Sequence, residues 1–595
     1  MKRIFYGCIL LLIPAINLTA QIPDILKNRL GDGIVRDELA RYYITPKRIV
    51  WMSDTTGKKI INPKILLKNG DGQTWFGIGK DQVCQFMNGK TDTCGIILDF
   101  GTELHGAIQL TTATSNRVTP RVRIRFGESV SETMSDVIGD GTTGLKGGAT
   151  NHHAMRDFVV TLPGYGTLEI GNSGFRFARI DFVDTMARVT FKEIRAVLVI
   201  RDIPYLGSFK CSDDLLNQIW ITGAYTVHLT MQDYLWDGIK RDRMVWMGDM
   251  HPELMTINTV FGYQDVVRKS LDFSRNNTPL PKWMNGISSY SMWWIIMQYD
   301  WYLYQGRFDY LKEQQTYLIG LLNQLFEYVD SDGKENLKST RMFLDWPSSK
   351  NEQGVHAGLQ ALMVLSFERG GELCRILGDQ AMAQKCFEMA AKMKKYVPDP
   401  NHSKQAAALM ALAGTMPAKK ANDEVIAVGG AKNFSTFYGY YMLQVQAEAD
   451  AYQTAIDNIR QFWGGMLKLG ATTFWEDFNL DWTENAAGIT DIVPPGKKDI
   501  HKDFGAYSYL GLRHSLCHGW SSGPTSWLTQ HVLGISVLEP GCKTVRIVPH
   551  LADLQWAEGT FPTPLGIIKV RHEKQPDGTI RSTIDAPKGI RIVRK

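Results

Sequence analysis

Apolar and polar residues alternate in short runs along the first third of the chain, from about residue 72 to residue 201. Examples are residues 95–100, 121–126 and 175–182, and Gly, Asp and Thr punctuate the intervals between such runs. A period of two is typical of strands that bury one face, and many short strands separated by turns favour an antiparallel β-sandwich. The pattern therefore predicts a β-sandwich in the N-terminal region.

The pattern changes after Pro204, and from Ser212 to about Leu533 the apolar residues recur at helical spacing. Amphipathic helices are predicted at residues 214–231, 292–304, 309–328, 358–377, 379–397 and 440–456. About 320 residues divided among twelve helices leave roughly 27 residues for each helix with its loop, which fits common element and connection lengths. A twelve-helix (α/α)6 barrel is therefore feasible for this region.

Alternation returns after Gly534, for example in residues 544–548 and 566–570, and predicts a second β-domain. The predicted fold class is thus multidomain, with a central all-α (α/α)6 barrel flanked by N-terminal and C-terminal β-sandwich domains. The predicted boundaries are a signal peptide at 1–20, an N-terminal β-sandwich region at 21–205, the barrel at 206–535 and a C-terminal β-sandwich at 536–595.

The first twenty residues have the pattern of a secretory signal. Lys2 and Arg3 precede an apolar stretch at 9–16, and the segment ends with Leu18-Thr19-Ala20 before Gln21. We therefore expect export to the periplasm or the medium. No later segment offers the roughly 20 uninterrupted apolar residues that a membrane helix needs, so no membrane span is predicted.

Composition narrows the range of partners. With 44% hydrophobic and 21% charged residues the chain is typical of a globular protein. The formal charge falls from +5 to +3 without Lys2 and Arg3, and the basic residues are dispersed. A nucleic-acid partner is therefore not predicted. The oligomeric state stays open.

Three clusters carry candidate chemistry, and the densest spans residues 237–249. Asp237, Asp242 and Asp249 fall within thirteen residues, interleaved with Trp246 and two methionines. A structural ion-pair cluster is the alternative interpretation. Solvated faces seldom contain so much apolar mass, however, so partly buried carboxylates at a functional site are favoured.

The other two clusters also combine aromatic rings with polar groups. Glu476 follows Phe474 and Trp475, and His514 and His518 precede Trp520. Sugar hydrolases need aromatic faces for pyranose rings and two carboxyl groups for acid and base catalysis. Trp475 could instead be a core residue.

A metal site is not predicted in the third cluster. The two histidines have helical spacing, but no His-Glu-x-x-His pattern occurs and no further Cys or His lies at metal-ligand spacing. Cys517 is a weak candidate nucleophile, because neighbours on a helix do not face each other. We therefore interpret His518 as a hydrogen-bonding residue beside Trp520.

At these clusters the chain resembles the bacterial α-L-rhamnosidases of glycoside hydrolase family 78. Residues 237–249 resemble the family's signature, in which an Asp is followed by Arg-Asp-Glu-Arg and then by Gly-Trp-x-Gly-Asp. Residues 473–476 resemble its second acidic motif, and residues 515–518 its His motif. Residues 205–211 and 534–541 resemble the two ends of its catalytic domain, and 99–101 and 174–179 its N-terminal β-domain.

The resemblance implies an (α/α)6 barrel and an inverting glycoside hydrolase that uses no metal or other cofactor. The implied substrate is an oligo- or polysaccharide of plant or microbial origin that carries terminal α-L-rhamnose or a closely related sugar. Asp242 takes the position of the general acid and Glu476 that of the general base. The remaining residues predicted to bind substrate are Asp237, Arg241, Trp246, Asp249, Trp475, His518 and Trp520.

The chain departs from the family at the acid position, which usually holds Glu. The signature is one residue shorter here and offers only Asp242 before Arg243. Because Asp is one methylene shorter, the backbone or the sugar must lie about 1.5 Å closer. Two alternatives stay open. One is a non-catalytic carbohydrate-binding relative; the other is a different (α/α)6 hydrolase, such as an unsaturated uronyl hydrolase, which requires basic residues around the sugar.

Overall fold

The computed structural model describes residues 39–137, 147–507 and 509–594. The predicted signal peptide at 1–20 lies outside these ranges. Within them, no helix is both long enough and apolar enough to cross a membrane.

The described part of residues 39–201 forms one antiparallel β-sheet of nine strands with a short helix, Val130–Met134. The predicted strands at 95–100, 121–126 and 175–182 fall within β5, β6 and β8. The strands are β1 (Leu39–Ile44), β2 (Arg48–Met52), β3 (Ile60–Ile61), β4 (Cys84–Asn88), β5 (Gly95–Ser115), β6 (Arg121–Gly127), β7 (Asp157–Thr161), β8 (Gly166–Phe182) and β9 (Ala187–Arg201).

The long strand β5 changes its edge partner along its length. Its first residues, 96–99, pair with β2, whereas residues 106–115 pair with β9, and register shifts separate the two parts. Strands that switch partners at irregularities allow a sheet to turn around its own core. Phe86, Leu98, Phe126 and Phe175 lie in that core.

The middle of the chain is helical, and between Cys211 and Ala486, all of which is described, no β-strand occurs. Its α-helices of at least five residues are Asp214–Thr230, Met250–Val260, Asp265–Asn277, Ser288–Gln305, Phe308–Phe326, Glu352–Ile376, Gln380–Met393, Lys404–Leu412, Gly439–Glu448, Tyr452–Lys468 and Gly523–Trp527. A helical core with β-sheet domains before and after it in sequence agrees with the predicted outline.

Two features of the helical region differ from the sequence prediction. The segment predicted as one helix at 440–456 is two helices, Gly439–Glu448 and Tyr452–Lys468, because Asp450 adopts a left-handed conformation with φ +58°. The sequence prediction also lacks the helices Met250–Val260, Asp265–Asn277 and Lys404–Leu412. All residues of Met250–Val260 are buried, so this helix has no solvent-exposed face and shows no amphipathic period.

The C-terminal strands build two further sheets among the described residues. One has the order β10-β15-β16-β17 and the other β13-β14-β18. A short parallel pair, β11 with β12, lies in the preceding loop region. The bounds are β10 (Ser208–Cys211), β11 (Ala486–Ala487), β12 (Lys498–Asp499), β13 (Ile535–Val537), β14 (Thr544–Ile547), β15 (Trp556–Thr563), β16 (Gly566–Lys574), β17 (Ile580–Asp585) and β18 (Arg591–Val593).

Strand β10 belongs to the C-terminal sheet although it precedes the helices in sequence. Ser208 pairs with Thr560 and Cys211 with Ala557 in an antiparallel ladder. The predicted boundary at 205/206 assigns these residues to the helical domain and stays a prediction, while their backbone hydrogen bonds join them to strand β15. Four residues carry too short a pattern to reveal such a distant partner.

Candidate active site

Side chains from distant parts of the sequence line one cavity of about 140 Å³. Asp242 and Glu476 both face it, although 234 positions separate them. The predicted site residues that line the cavity are Asp237, Arg241, Asp242, Trp246, Asp249, Glu476, His518 and Trp520. Such convergence is what distinguishes a site from scattered charge. The chemical role of each residue stays a prediction.

The loop after helix Asp214–Thr230 presents the first group of carboxylates. Asp237 closes this loop, since its N–H donates to the carbonyl oxygen of Met244 (3.0 Å) and its Oδ1 accepts from the N–H of Met244 (2.9 Å). Its own carbonyl oxygen accepts from the N–H of Gly519 (2.8 Å). Asp237 therefore fastens the loop to the segment that carries His518.

The backbone of Asp242 and Arg243 is left-handed, with φ +54° at both residues. Such conformations cost about 1–3 kcal/mol each in non-glycine residues and persist only where the surroundings hold them. Here Arg243 donates from Nη1 to the carbonyl oxygen of Asn172 (3.0 Å) and from Nη2 to that of His153 (2.8 Å). This turn allows the shorter signature to direct the Asp242 carboxyl group into the cavity.

Asp242 has the most accessible of the four carboxyl groups at the cavity. Its side chain is 17% exposed, against 5% or less for Asp237, Asp249 and Glu476. Its Oδ2 accepts a hydrogen bond from Nε1 of Trp246 (3.1 Å). An accessible, oriented carboxyl group can reach an atom of a bound ligand.

Glu476, in contrast, is almost fully buried at the cavity wall and is held by several hydrogen bonds. Its side chain forms an ion pair with Arg241, and Oε2 accepts from the N–H of Ser515 (3.2 Å). Its carbonyl oxygen accepts from Oγ1 of Thr436 (2.6 Å) and Nε1 of Trp520 (2.9 Å). A guanidinium and a backbone N–H together stabilise a carboxylate's negative charge.

Asp249 and His518 complete the polar wall of the cavity. Burial raises the pKa of Asp249 to about 8, although Oδ1 accepts a hydrogen bond from the hydroxyl group of Tyr290 (2.7 Å). Burial also raises the pKa of Asp237 and lowers that of His518 well below its usual value. Nε2 of His518 lies 3.7 Å from Asp237 and 4.0 Å from Asp249. These groups can exchange hydrogen bonds with sugar hydroxyls.

Trp475 is not at the site, in contrast to the prediction. Its side chain is 1% exposed and packs edge-on against Phe478, with ring centroids 5.7 Å apart. Trp475 is buried in the helical core, while its neighbour Glu476 lines the cavity. The core interpretation of Trp475 is therefore the correct one.

The structure adds residues to the cavity that the sequence did not indicate. They are Ile287, Tyr290, Arg341, Phe343, Trp346, Tyr509 and Arg513. Residues 343–346, Phe-Leu-Asp-Trp, repeat the mixture of aromatic rings and a carboxylate that marks residues 474–476. That likeness could have pointed to Phe343 and Trp346. No comparable signal marks Tyr509 or Arg513.

A buried ionic cluster holds Lys240, a residue of the loop that carries Asp237 and Asp242. Nζ of Lys240 lies 3.1 Å from Oε2 of Glu128 and 3.3 Å from Oε1 of Glu132. It also donates to the carbonyl oxygens of Leu512 (2.9 Å) and His514 (2.6 Å). Glu128, Glu132 and a nearby histidine, His501, offer ligand atoms within 4.8 Å of one another, as a metal site would. The Lys240 ammonium provides positive charge at this position.

Comparison with known proteins gives consistent matches. A family model described as the bacterial alpha-L-rhamnosidase 6 hairpin glycosidase domain matches residues 204–532, and one described as the bacterial alpha-L-rhamnosidase C-terminal domain matches 534–593. The alpha-L-rhamnosidase of Formosa agariphila is 30% identical over 157 residues, which are 26% of this chain and 16% of that protein.

Solved structures share the fold at low identity. The family 78 rhamnosidase of Bacillus sp. GL1 has 21% identity and a TM-score of 0.69, over 87% of this chain and 54% of that one. The Streptomyces avermitilis alpha-L-rhamnosidase complexed with L-rhamnose has 17% identity and a TM-score of 0.64. The match covers 83% of this chain and 48% of that one. The Klebsiella oxytoca rhamnosidase with rhamnose bound has 18% identity and a TM-score of 0.60. The match covers 83% of this chain and 96% of that one.

This chain thus spans about half the length of the Bacillus and Streptomyces proteins. The match to the helical-domain model nevertheless covers more than half of its 595 residues. On that match, the chain belongs to the bacterial α-L-rhamnosidase family.

Proposed function

We propose that this protein is an inverting glycoside hydrolase that releases terminal α-L-rhamnose, or a closely related sugar, from plant or microbial glycans. The observation that carries the proposal is the pairing of Asp242 and Glu476 at one aromatic cavity in unlike environments. Family membership supports it, and so do the two relatives described with rhamnose bound. We further propose that the helices form a twelve-helix (α/α)6 barrel.

Asp242 acts as the general acid and protonates the oxygen of the leaving group. Its accessibility supports this role, and Trp246 orients it through Oδ2. Glu476 acts as the general base. The guanidinium of Arg241 pairs with the Glu476 carboxylate, which deprotonates the attacking water. An inverting mechanism requires the two carboxyl groups to be roughly 6.5–9.5 Å apart, with the water beside the base.

The other cavity residues bind the sugar in this proposal. Asp237, Asp249 and His518 exchange hydrogen bonds with its hydroxyl groups, while Trp246 and Trp520 contact its apolar faces. The reaction needs no metal or organic cofactor, because carboxyl groups supply both the proton and the activated water. The leader pattern at 1–20 supports export, which would bring the enzyme to extracellular glycans.

The test compares two variants on substrates that differ in leaving group. Asp242→Asn should lose much less activity on p-nitrophenyl α-L-rhamnoside than on an alkyl rhamnoside, because a good leaving group needs little protonation. Glu476→Gln should lose about 10²–10⁴-fold on both, because water must be activated whatever departs. Asp481→Asn, at an exposed position, is the matched control and should keep wild-type activity.

Early product anomers, followed by NMR, test the stereochemistry. Inverted L-rhamnose is expected because no glycosyl-enzyme forms. Retained anomers would contradict the mechanism, as would an Asp242→Asn enzyme equally impaired on both substrates. Complete inactivity of the wild-type protein with retained sugar binding would favour a non-catalytic carbohydrate-binding relative.

One observation favours a second candidate, an unsaturated uronyl hydrolase. Arg341 and Arg513 line the cavity beside Arg241, and basic side chains suit a carboxylated sugar. The substrate panel should therefore include an unsaturated uronyl disaccharide. Cleavage of that disaccharide without cleavage of rhamnosides would replace the first proposal by the second.

A further inference from the structure

The N-terminal β-domain reaches the candidate active site through the loop before β7 and through β8. Nδ1 of His153 lies 3.3 Å from Oδ1 of Asp242. The carbonyl oxygens of His153 and Asn172 hold the side chain of Arg243, which follows Asp242 in sequence. The β-domain therefore contacts both the carboxyl group of Asp242 and the left-handed turn that presents it.

The two oxygens of Asp242 have different neighbours. Nε1 of Trp246 always carries a hydrogen and can only donate, so Oδ2 is fixed as an acceptor. A protonated Asp242 therefore carries its hydrogen preferentially on Oδ1, the oxygen that faces His153. Which oxygen holds the proton decides where a general acid can deliver it.

His153 is suited to face a protonated oxygen. Burial lowers the pKa of His153 to about 4, so that the ring is neutral near pH 7. A neutral imidazole has one acceptor nitrogen and one donor nitrogen. Among the described residues, Nε2 of His153 is buried and has no hydrogen-bond partner. With the hydrogen on Nε2, Nδ1 is free to accept from Oδ1 of Asp242.

We propose that His153 is a positioning residue that holds the catalytic proton on Oδ1 of Asp242, and that the β-domain is thereby part of the active site. The inference rests on the proposed role of Asp242 as the general acid. When Asp242 is protonated and no glycoside is bound, the Oδ1 hydrogen points to Nδ1 of His153. When a glycoside binds, that hydrogen turns to the glycosidic oxygen.

The proton balance closes over one turnover. The Oδ1 proton passes to the leaving-group oxygen as the bond to the anomeric carbon breaks, and Asp242 remains as a carboxylate. Glu476 takes a proton from the attacking water, whose oxygen bonds to the anomeric carbon. After the products leave, Glu476 releases its proton to solvent and Asp242 regains one from solvent. The net reaction is hydrolysis, and His153 itself neither gains nor loses a proton.

The orienting role of His153 fits the presence of Asp242 at a position that usually holds Glu. An Asp at a position that usually holds Glu has a shorter reach, so its direction must be set more closely. The clamp on Arg243 fixes the backbone, Trp246 fixes one carboxyl oxygen and His153 fixes the other. These contacts originate in two domains, which makes the geometry depend on their packing.

The experiment uses the full-length protein with three substitutions. His153→Phe keeps a ring without nitrogens, and His153→Gln restores an acceptor oxygen. His152→Phe is the matched control, because His152 is the exposed neighbour in sequence. For each variant, kcat/KM is measured against pH on an alkyl rhamnoside and on p-nitrophenyl α-L-rhamnoside. Thermal melting checks that each variant is folded.

We expect His153→Phe to move the basic limb of the kcat/KM profile about one pH unit lower. The reason is that loss of an acceptor for the acidic hydrogen disfavours the protonated carboxyl group. At pH 7 its kcat/KM should fall about tenfold on the alkyl rhamnoside and about twofold or less on the nitrophenyl substrate. His153→Gln should recover part of the loss, and His152→Phe should match the wild type.

The possible failures are distinguishable. An active wild type whose His153→Phe variant keeps its pH profile and its substrate ratio would overturn the inference alone. A basic limb that moves to higher pH would also overturn it, because His153 would then stabilise the charged carboxylate. A wild-type protein that hydrolyses no rhamnoside would overturn the proposed function, and this inference with it.

Discussion

Replacing Lys240 with Met should destabilise the protein strongly, because its ammonium is a cation within a buried acidic cluster. The change removes contacts of 3.1 and 3.3 Å to Glu128 and Glu132, and hydrogen bonds to two carbonyl oxygens. Hydrogen bonds to charged groups contribute about 1.5–3 kcal/mol each, so two give about 3–6 kcal/mol. Removing one partner of a buried pair typically costs about 3–5 kcal/mol, and we expect that range.

The loss of stability in Lys240→Met should grow as the pH rises. Burial raises the pKa of Glu128 to about 7, while the Lys240 ammonium opposes that rise. Near pH 5.5 Glu128 is largely protonated, so loss of the Lys240 ammonium costs less stability. Above pH 7 the variant would leave an ionised Glu128 without that ammonium. Lys240→Met should therefore be destabilised more at pH 8 than at pH 5.5.

Urea unfolding, followed by Trp fluorescence and circular dichroism, measures both effects. Lys419→Met is the matched control, since Lys419 pairs with Asp423 on an exposed helix face and its loss should change stability by about 0.5 kcal/mol or less. A Lys240→Met protein within about 1 kcal/mol of the wild type would refute the assigned role of the ammonium. So would a loss that grows as the pH falls.

Three further outcomes follow from the site. Arg241→Lys should lower kcat about 10–100-fold in steady-state assays with little change in melting temperature, because Lys cannot reproduce the guanidinium geometry at Glu476. Burial raises the pKa of Asp249 to about 8, so this residue lowers the free energy of unfolding as pH rises from about 4 to 8, by at most about 1.4 kcal/mol per pH unit. The free energy of unfolding of Asp249→Asn, measured across this range, should therefore fall less steeply with pH. Trp475→Phe should lower the melting temperature and leave KM unchanged, whereas Trp246→Phe should lower kcat/KM at unchanged melting temperature.

The sequence predicted the parts of the site that lie within continuous motifs. Residues 237–249 have a dense pattern of carboxylates and aromatic rings, and their three aspartates line one cavity with Glu476. The direction of Trp475 was not predictable, because it depends on which of two neighbours turns toward the cavity. His153 was not predictable either, since it contacts Asp242 across a gap of 89 positions and from another domain.

The same distinction applies to the fold. Phe308–Phe326, a helix with one apolar face, was predicted within a few residues because its period of 3.6 is visible, whereas Asp265–Asn277 was missed although it also buries one face. The buried helix Met250–Val260 and the break at Asp450 were missed. One lacks a solvent-exposed face, and the other depends on a single backbone angle that a local apolar pattern does not encode.

The pairing of β10 with β15 has a consequence for how the chain can be cut. Ser208 stands just before the helical region and Thr560 beyond it, so 352 positions of chain are closed into a loop by one ladder. A fragment that ends near residue 533 would keep β10 with an open edge, and open edges pair with other chains. Expression of the helical region alone should therefore give aggregates, and an excised form should begin after Cys211 or include residues through β17.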